Sequence, residues 1–279
     1  MKKRNPVFWF SFFLLTVFLA LPTAFAHANK PLIIDLGSIA PVQKMSRALA
    51  FTLPVPPTQA VQFKGTGLSA AKTGNRIPAE RLTFTPDPST QNNATRTVYH
   101  LQIQLLPSEP PGEYEGLIYA VYPDRKTTQP CPLLVKIKIL PWIRIEPGNS
   151  TPQLNIAASP FLREDKLLTR NPVKLLLASN APWRLLLRLE NETPFHTSPF
   201  PLQIGIGKTL NTVVFKERMR VSDDYRPVAF GAPTVVGDGS TPANYWTELY
   251  LTAAIDDWYH YPTGNYNFKM FFAAETLLP

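Results

Sequence analysis

The chain is 279 residues long, with 30 prolines, 13 glycines, one cysteine and a formal net charge of +8. Proline stands at roughly twice its average usage of about 5 % while glycine is ordinary, which excludes a collagen-like repeat; 44 % hydrophobic and 11 % aromatic residues exclude wholesale disorder. That length makes one large or two ordinary domains, either able to bury a substantial core, and a lone thiol excludes an internal disulfide framework.

The first 26 residues read as an address. Lys2, Lys3 and Arg4 form a positive start, Val7 to Leu21 is apolar apart from Ser11 and Thr16, and Ala24-Phe25-Ala26 supplies a small-x-small cleavage pattern. Residues 1–26 are therefore expected to be a secretory signal peptide, with Pro22 favouring cleavage. Uncleaved, the 20 residues from Val7 to Ala26 would suffice to span a bilayer, and membrane attachment is expected only in that case. The mature chain is expected to be secreted or extracytoplasmic, in a periplasm or at a cell surface.

Residues 30–140 supply a set of sandwich strands. LIIDLGSI comes first, then ALAFTLP with Leu49, Phe51 and Leu53 alternating, AVQFKG, and ERLTFTP with Leu82 and Phe84 alternating. TRTVYHLQIQLL at 95–106 and the run after Gly112 follow, and LLVKIKIL at 133–140 closes the set. In that last run Val135, Ile137 and Ile139 face one way and Lys136 and Lys138 the other, the pattern of a strand with one wet face. No segment carries a sustained helical period. Short strands separated by turn signals predict an all-β, immunoglobulin-like sandwich.

Residues 141–152, PWIRIEPGNSTP, are expected to be a linker, with a second Ig-like sandwich over 153–279. Its strands are QLNIAAS, VKLLLAS, WRLLLRLE, PLQIGIG, TVVFKERMRV and YWTELYLTAAI. Asn180-Ala181-Pro182 predicts a turn, and Trp183, opening a leucine-rich run, a core anchor. Tyr225 to Asn244 predicts a long loop, a length that is uncommon unless it binds something, lacks order or hides a short element.

One phrase occurs twice. PPGEYEGLIYAVY at 110–122 and PTGNYNFKMFFAA at 262–274 both open an alternating run with Pro-x-Gly-x-Tyr, and both follow an earlier alternating run. The duplication predicts two related domains in tandem, the repeated unit being a β-hairpin. After the first copy another strand follows; after the second none does, so the second domain is expected to lack a final strand unless a segment such as WIRIEP, or a partner chain, fills the place.

Candidate binding residues fall in two places. Residues 30–140 carry 12 basic and 7 acidic residues, while 141–279 carry 13 of each, so the excess positive charge of the mature chain lies in the first domain. Within it Lys64, Lys72, Arg76 and Arg81 cluster with Glu80 alone opposing them, a candidate polyanion contact or a solvated loop rim. DDWYHYPTGNY at 256–266 brings together Asp256 and Asp257 with Trp258, Tyr259 and Tyr261, able to stack on sugar faces or meet a protein. Two adjacent carboxylates point apart, and no metal site is expected.

Catalysis has no motif to stand on: no Gly-x-Ser-x-Gly elbow, no Gly-rich phosphate loop and no His-Glu-x-x-His helix. His100, His196 and His260 are dispersed, and Cys131, in a PCP triplet at a strand start, has no base beside it in sequence. The chain is expected not to be an enzyme, to carry no cofactor and to bind no nucleic acid. Asn93, Asn149 and Asn191 open sequons that matter only where the cell glycosylates such sites.

The signal segment, the paired β modules and the strands opened by Pro-x-Gly-x-Tyr together resemble bacterial surface and fimbrial proteins with Ig-like or spore-coat-type domains. That resemblance rests on 95–122 and 245–274, and the chain departs from typical fimbrial subunits in having two domains and no disulfide. It implies a structural or adhesive component of a cell envelope or appendage, with a protein partner or a second copy engaged along a sheet edge. The alternatives are a module binding cell-wall polysaccharide or a polyanion through the two candidate clusters, and a periplasmic assembly chaperone, whose two-domain, basic, secreted plan is similar.

Overall fold

Along Thr97–Leu105 the residues Thr97, Tyr99, Leu101, Ile103 and Leu105 are buried and those between them are not, so hydrophobic burial fixes an extended conformation with one face inward. The same pattern recurs through the chain. The computed structural model describes residues 30–89, 95–123, 130–148, 156–157, 166–169, 172–191, 202–208, 214–215, 222–241, 244–256 and 268–277. They form two Ig-like β-sandwiches in tandem.

The first sandwich comprises β1 (Leu32–Ile39), β2 (Met45–Leu53), β3 (Gln62–Gly65), β4 (Leu68–Ala70), β5 (Arg76–Ile77), β6 (Leu82–Pro86), β7 (Thr97–Leu105), β8 (Gly112–Val121) and β9 (Cys131–Ile139). One sheet runs β1-β9-β8-β4-β5 with β3 also on β8, and the other runs β2-β7-β6. β1 lies parallel to β9, and the other pairs are antiparallel. Phe63 of one sheet stacks on Phe84 of the other at 4.1 Å between ring centroids, with Phe51 and Tyr99 packed around them, so aromatic contacts join the sheets.

The second sandwich comprises β10 (Ile143–Pro147), β11 (Ile156–Ala157), β12 (Lys166–Thr169), β13 (Val173–Ser179), β14 (Trp183–Asn191), β15 (Leu202–Gly207), β16 (Val214–Phe215), β17 (Ser222–Gly231), β18 (Thr247–Asp256) and β19 (Phe268–Thr276). β10, β13, β18, β12 and β11 make one sheet, with β15 on β18 and β16 on β15; β17, β14 and β19 make the other. Trp183 is buried in the core between them with Leu185, Leu187, Leu189, Leu249 and Leu251, as its leucine-rich setting predicts.

Several expectations change in the folded chain. The repeated phrase does not build a hairpin: β7 pairs with β2 and β6, whereas β8 pairs with β3, β4 and β9 in the opposite sheet. In the second copy β18 pairs with β12, β13 and β15, and β19 with β14. The duplicated unit is therefore an arch between sheets. Alternation records that one face of each strand is buried and does not say which strand lies beside it. The basic stretch at 64–81 is not a loop alone, since it holds the short β4 and β5 strands, and the expected linker contains β10, which is paired with β13. Residues 1–29, including the expected signal peptide, lie outside the described residues. No helix among those described is long and apolar enough to cross a membrane.

The first arch explains its own sequence. The Tyr114 hydroxyl donates to the Pro110 carbonyl oxygen at 2.8 Å, the tyrosine corner that turns a chain from one sheet of an Ig sandwich to the other. Burial pushes that hydroxyl up to about 12, with the Glu109 charge adding, so it stays a donor throughout the physiological range. Tyr114→Phe is expected to lower stability by about 1 kcal/mol with the fold intact, the usual worth of one such bond. Chemical denaturation with an unchanged slope would bear this out; an unchanged midpoint would show that the corner is held by packing alone.

The two sandwiches meet through this arch. Trp142, Ala178 and Val235 pack with Ala40, Val42, Tyr245 and Trp246 into a small apolar cluster at the junction. Asn180, buried at the turn between β13 and β14, accepts from the Trp142 amide at 2.8 Å and donates to the carbonyls of Glu109 at 2.9 Å and Leu140 at 3.3 Å. The expected long loop closes on the first sandwich as well. The Tyr245 hydroxyl donates to the Val42 carbonyl, and the Ser108 hydroxyl donates to that of Gly237. Residues 225–231 of that stretch are strand, and among the described residues the remainder bonds Ser179 of its own sandwich through Thr234 and Val235 and Ser108 of the first through Gly237.

Candidate functional site

The candidates seen in the sequence are distributed as follows. Asp257, Trp258, Tyr259 and Tyr261 lie outside the described residues, and Asp256 closes β18, its backbone in register with Lys166. Lys64 sits exposed on β3 opposite Tyr119 of β8. Lys72 is in the turn between β4 and β5, and Arg76 is on β5 opposite Ser69. Arg81, in a single 3-10 turn, is not with them: its guanidinium pairs with the buried Glu109 carboxylate.

Glu80 is also not the one opposing charge. Sheet pairing sets Arg76, Ser69, Glu115, Lys136 and Asp35 in one row across five strands. Lys138 is 3.1 Å from Glu113 and holds that carboxyl below its ordinary range, with Lys72 and Lys136 adding smaller contributions. Glutamates far along the chain thus reach the basic stretch through the sheet, a balance that counting along the sequence cannot show. His100 lies 3.3 Å from Asp87. Cys131 is half-buried, and burial pushes its thiol up, away from the reactive thiolate.

The feature that stands out lies elsewhere, at the margin of the second sandwich. β19 pairs with β14 at nine successive positions, from Trp183↔Thr276 to Asn191↔Phe268, with no register shift. Among the described residues no strand pairs with its other side. β10, made by the segment WIRIEP, pairs with β13 in the opposite sheet and approaches β19 without pairing with it. β17, the other margin of this sheet, is broken by two register shifts and carries Pro227, both of which blunt an edge; β19 has neither.

The first sandwich shows what is different. There the strand opened by the same phrase, β8, is covered along nine positions by β9, and β9 in turn by β1. Aligning the two copies on their Gly-x-Tyr sets Ile118, Ala120 and Tyr122 against Met270, Phe272 and Ala274. The first three are 2 %, 0 % and 7 % exposed; the second three pack on their core yet stay only partly buried. Inward-facing apolar groups that one more strand would cover are left partly wet.

The outer face of the same sheet is a ladder of charge and ring. Arg184 bonds Glu275 at 2.6–2.8 Å, and Arg188 bonds Glu190 at 2.6 Å. Arg188 also lies over the Phe271 ring at 4.5 Å and the Tyr225 ring at 5.5 Å, joining all three strands. Sequence reading had no signal for these residues beyond the alternation of β14 and β19, because the pairing partner of each is fixed by the sheet. Such an edge can accept an extended segment through its main-chain groups, with specificity set by alternate side chains.

No protein-family model matches the chain, and no curated protein matches it. Among solved structures it is similar to the chaperone–tip adhesin complex of CFA/I fimbriae, at 9 % identity and a TM-score of 0.33, over 90 % of this chain and 98 % of that one. It is similar to the CsuC–CsuE chaperone–tip adhesion subunit pre-assembly complex of the archaic chaperone-usher Csu pili of Acinetobacter baumannii, at 12 % identity and a TM-score of 0.37, over 87 % and 96 %. A family 123 glycoside hydrolase from Clostridium perfringens matches at 10 % identity and a TM-score of 0.30; this chain covers 24 % of its length, and 44 % of this chain is matched. At these identities and TM-scores the likeness bears on no residue of this chain.

Proposed function

We propose that the protein is a non-enzymatic, extracytoplasmic structural or adhesive component of a cell envelope or surface appendage, engaging a partner strand along the open side of β19. The observation that carries this reading is the contrast between Ile118 and Ala120 of β8, buried on a strand that β9 flanks, and their equivalents Met270 and Phe272 of β19, which stay partly exposed. Covering them removes apolar surface from water at about 25 cal/mol per Å², and pairing satisfies the edge amides and carbonyls at the same time.

The test is size-exclusion chromatography with light scattering on the chain from residue 27 onward, beside the same chain with an added C-terminal β-strand on a flexible linker. The expected result is an associating parent and a monomeric, more stable extended chain. A monomeric parent whose mass and stability the added strand leaves unchanged would mean that the edge is already closed, and the reading would be abandoned.

A further inference from the structure

We infer that the strand seated on β19 is β19 of a second copy, antiparallel about a two-fold axis at Phe272. This inference rests on the reading of the edge given above and names its occupant. In that pairing the sequence Phe268–Thr276 is complementary to itself. Lys269 lies opposite Glu275 of the second copy, Met270 opposite Ala274, Phe271 opposite Ala273, and Phe272 opposite Phe272. Every long side chain but the axial one meets a short or oppositely charged one, so each row keeps its volume and each charge its complement.

The rows extend into both sheets. Within one copy Arg184 faces Glu275 at 2.6 Å, and Glu190 is in register with Lys269. Across the axis the outer face then reads Arg184, Glu275, Lys269 of the second copy and Glu190 of the second copy, a row of four alternating charges made twice by symmetry. On the inner face Met270, Phe272 and Ala274 of the two copies come together, and the two three-stranded sheets become one of six strands. An isologous contact of this kind closes on itself and gives a dimer rather than a fibre.

The charges also select the register. Slipping the pairing by two residues moves Lys269 from Glu275 to Ala273 or to Leu277. A slip by one sets it against Ala274 or Thr276, both of which alternate onto the other face of the strand from Lys269, and inverts every side chain relative to its partner.

Sedimentation equilibrium on the chain from residue 27 onward tests this with two variants, Lys269→Glu and Glu275→Lys. The parent is expected to be a dimer, and each variant to self-associate about tenfold more weakly or not at all, since like charges then face each other twice. Mixed in equal amounts, the two variants are expected to form a one-to-one dimer, because positions 269 and 275 then carry opposite charges across the axis in both rows. A variant that merely misfolds cannot be restored by mixing. If the parent associates and both variants associate as strongly as it does, another segment occupies the edge; this inference falls while the proposed function stands. If the parent is monomeric and an added strand changes nothing, both fall.

Discussion

Arg81→Ala is expected to cost about 3 kcal/mol of folding stability at neutral pH, the lower end of what removing one partner of a buried ion pair costs. The lower end applies because the Arg81 side chain keeps 25 % of its surface in water, while that of Glu109 keeps only 7 %. Burial of Glu109 raises its carboxyl above the ordinary 4.5 in spite of the Arg81 charge and hydrogen bond, which lower it. The folded chain therefore holds a proton on this group more readily than the unfolded chain does. Stability from this group falls as pH rises from 4.5 through the raised value, and the penalty is complete above it.

Without Arg81 the carboxyl rises further, so the loss of stability in Arg81→Ala should be small below pH 4.5 and grow toward neutrality. Glu109→Gln in the same chain should recover most of it, since a neutral amide needs no counter-charge. Thermal unfolding of the parent, the single and the double variant between about pH 4 and pH 8 decides the matter. An Arg81→Ala cost equal at both ends would show that Arg81 acts by packing and not by charge.

Asn180→Ala is expected to cost about 3 kcal/mol and to loosen the two sandwiches from one another. The substitution strips the buried Trp142 amide and the carbonyls of Glu109 and Leu140 of one partner each, and an unsatisfied buried group costs about 1–3 kcal/mol. Among the described residues, the small cluster around Trp142, Val235 and Tyr245 and the bonds from Ser108 and Tyr245 stay in place at the junction. Calorimetry is expected to show one unfolding transition for the parent and two for the variant, and small-angle scattering should report a larger radius of gyration for the variant. A single, merely lowered transition at an unchanged radius would assign Asn180 to the local turn alone. Glu109 takes part in both predictions, through its carboxylate and through its carbonyl, so the two substitutions should be non-additive.

The class of fold, the approximate place of most strands and the repeated phrase are legible along the chain. Those follow from alternation, from proline and glycine punctuation and from the Pro-x-Gly-x-Tyr phrase, all local properties of the chain. The burial of Trp183 is legible as well, because its neighbours are leucines. What the sequence left undecided is pairing. A strand of period 2 shows one buried face and leaves open whether its neighbour is the next strand or one far along the chain. For that reason the two arches read as hairpins, and the basic stretch at 64–81 read as opposed by Glu80 alone although Glu109, Glu113 and Glu115 lie across the fold from it. The edge of β19 was legible only as a missing strand after the second phrase. Which residues line it, how far they remain exposed, and that WIRIEP joins the other sheet were decided by the tertiary structure, because an edge is a property of the whole sheet and of no single strand in it.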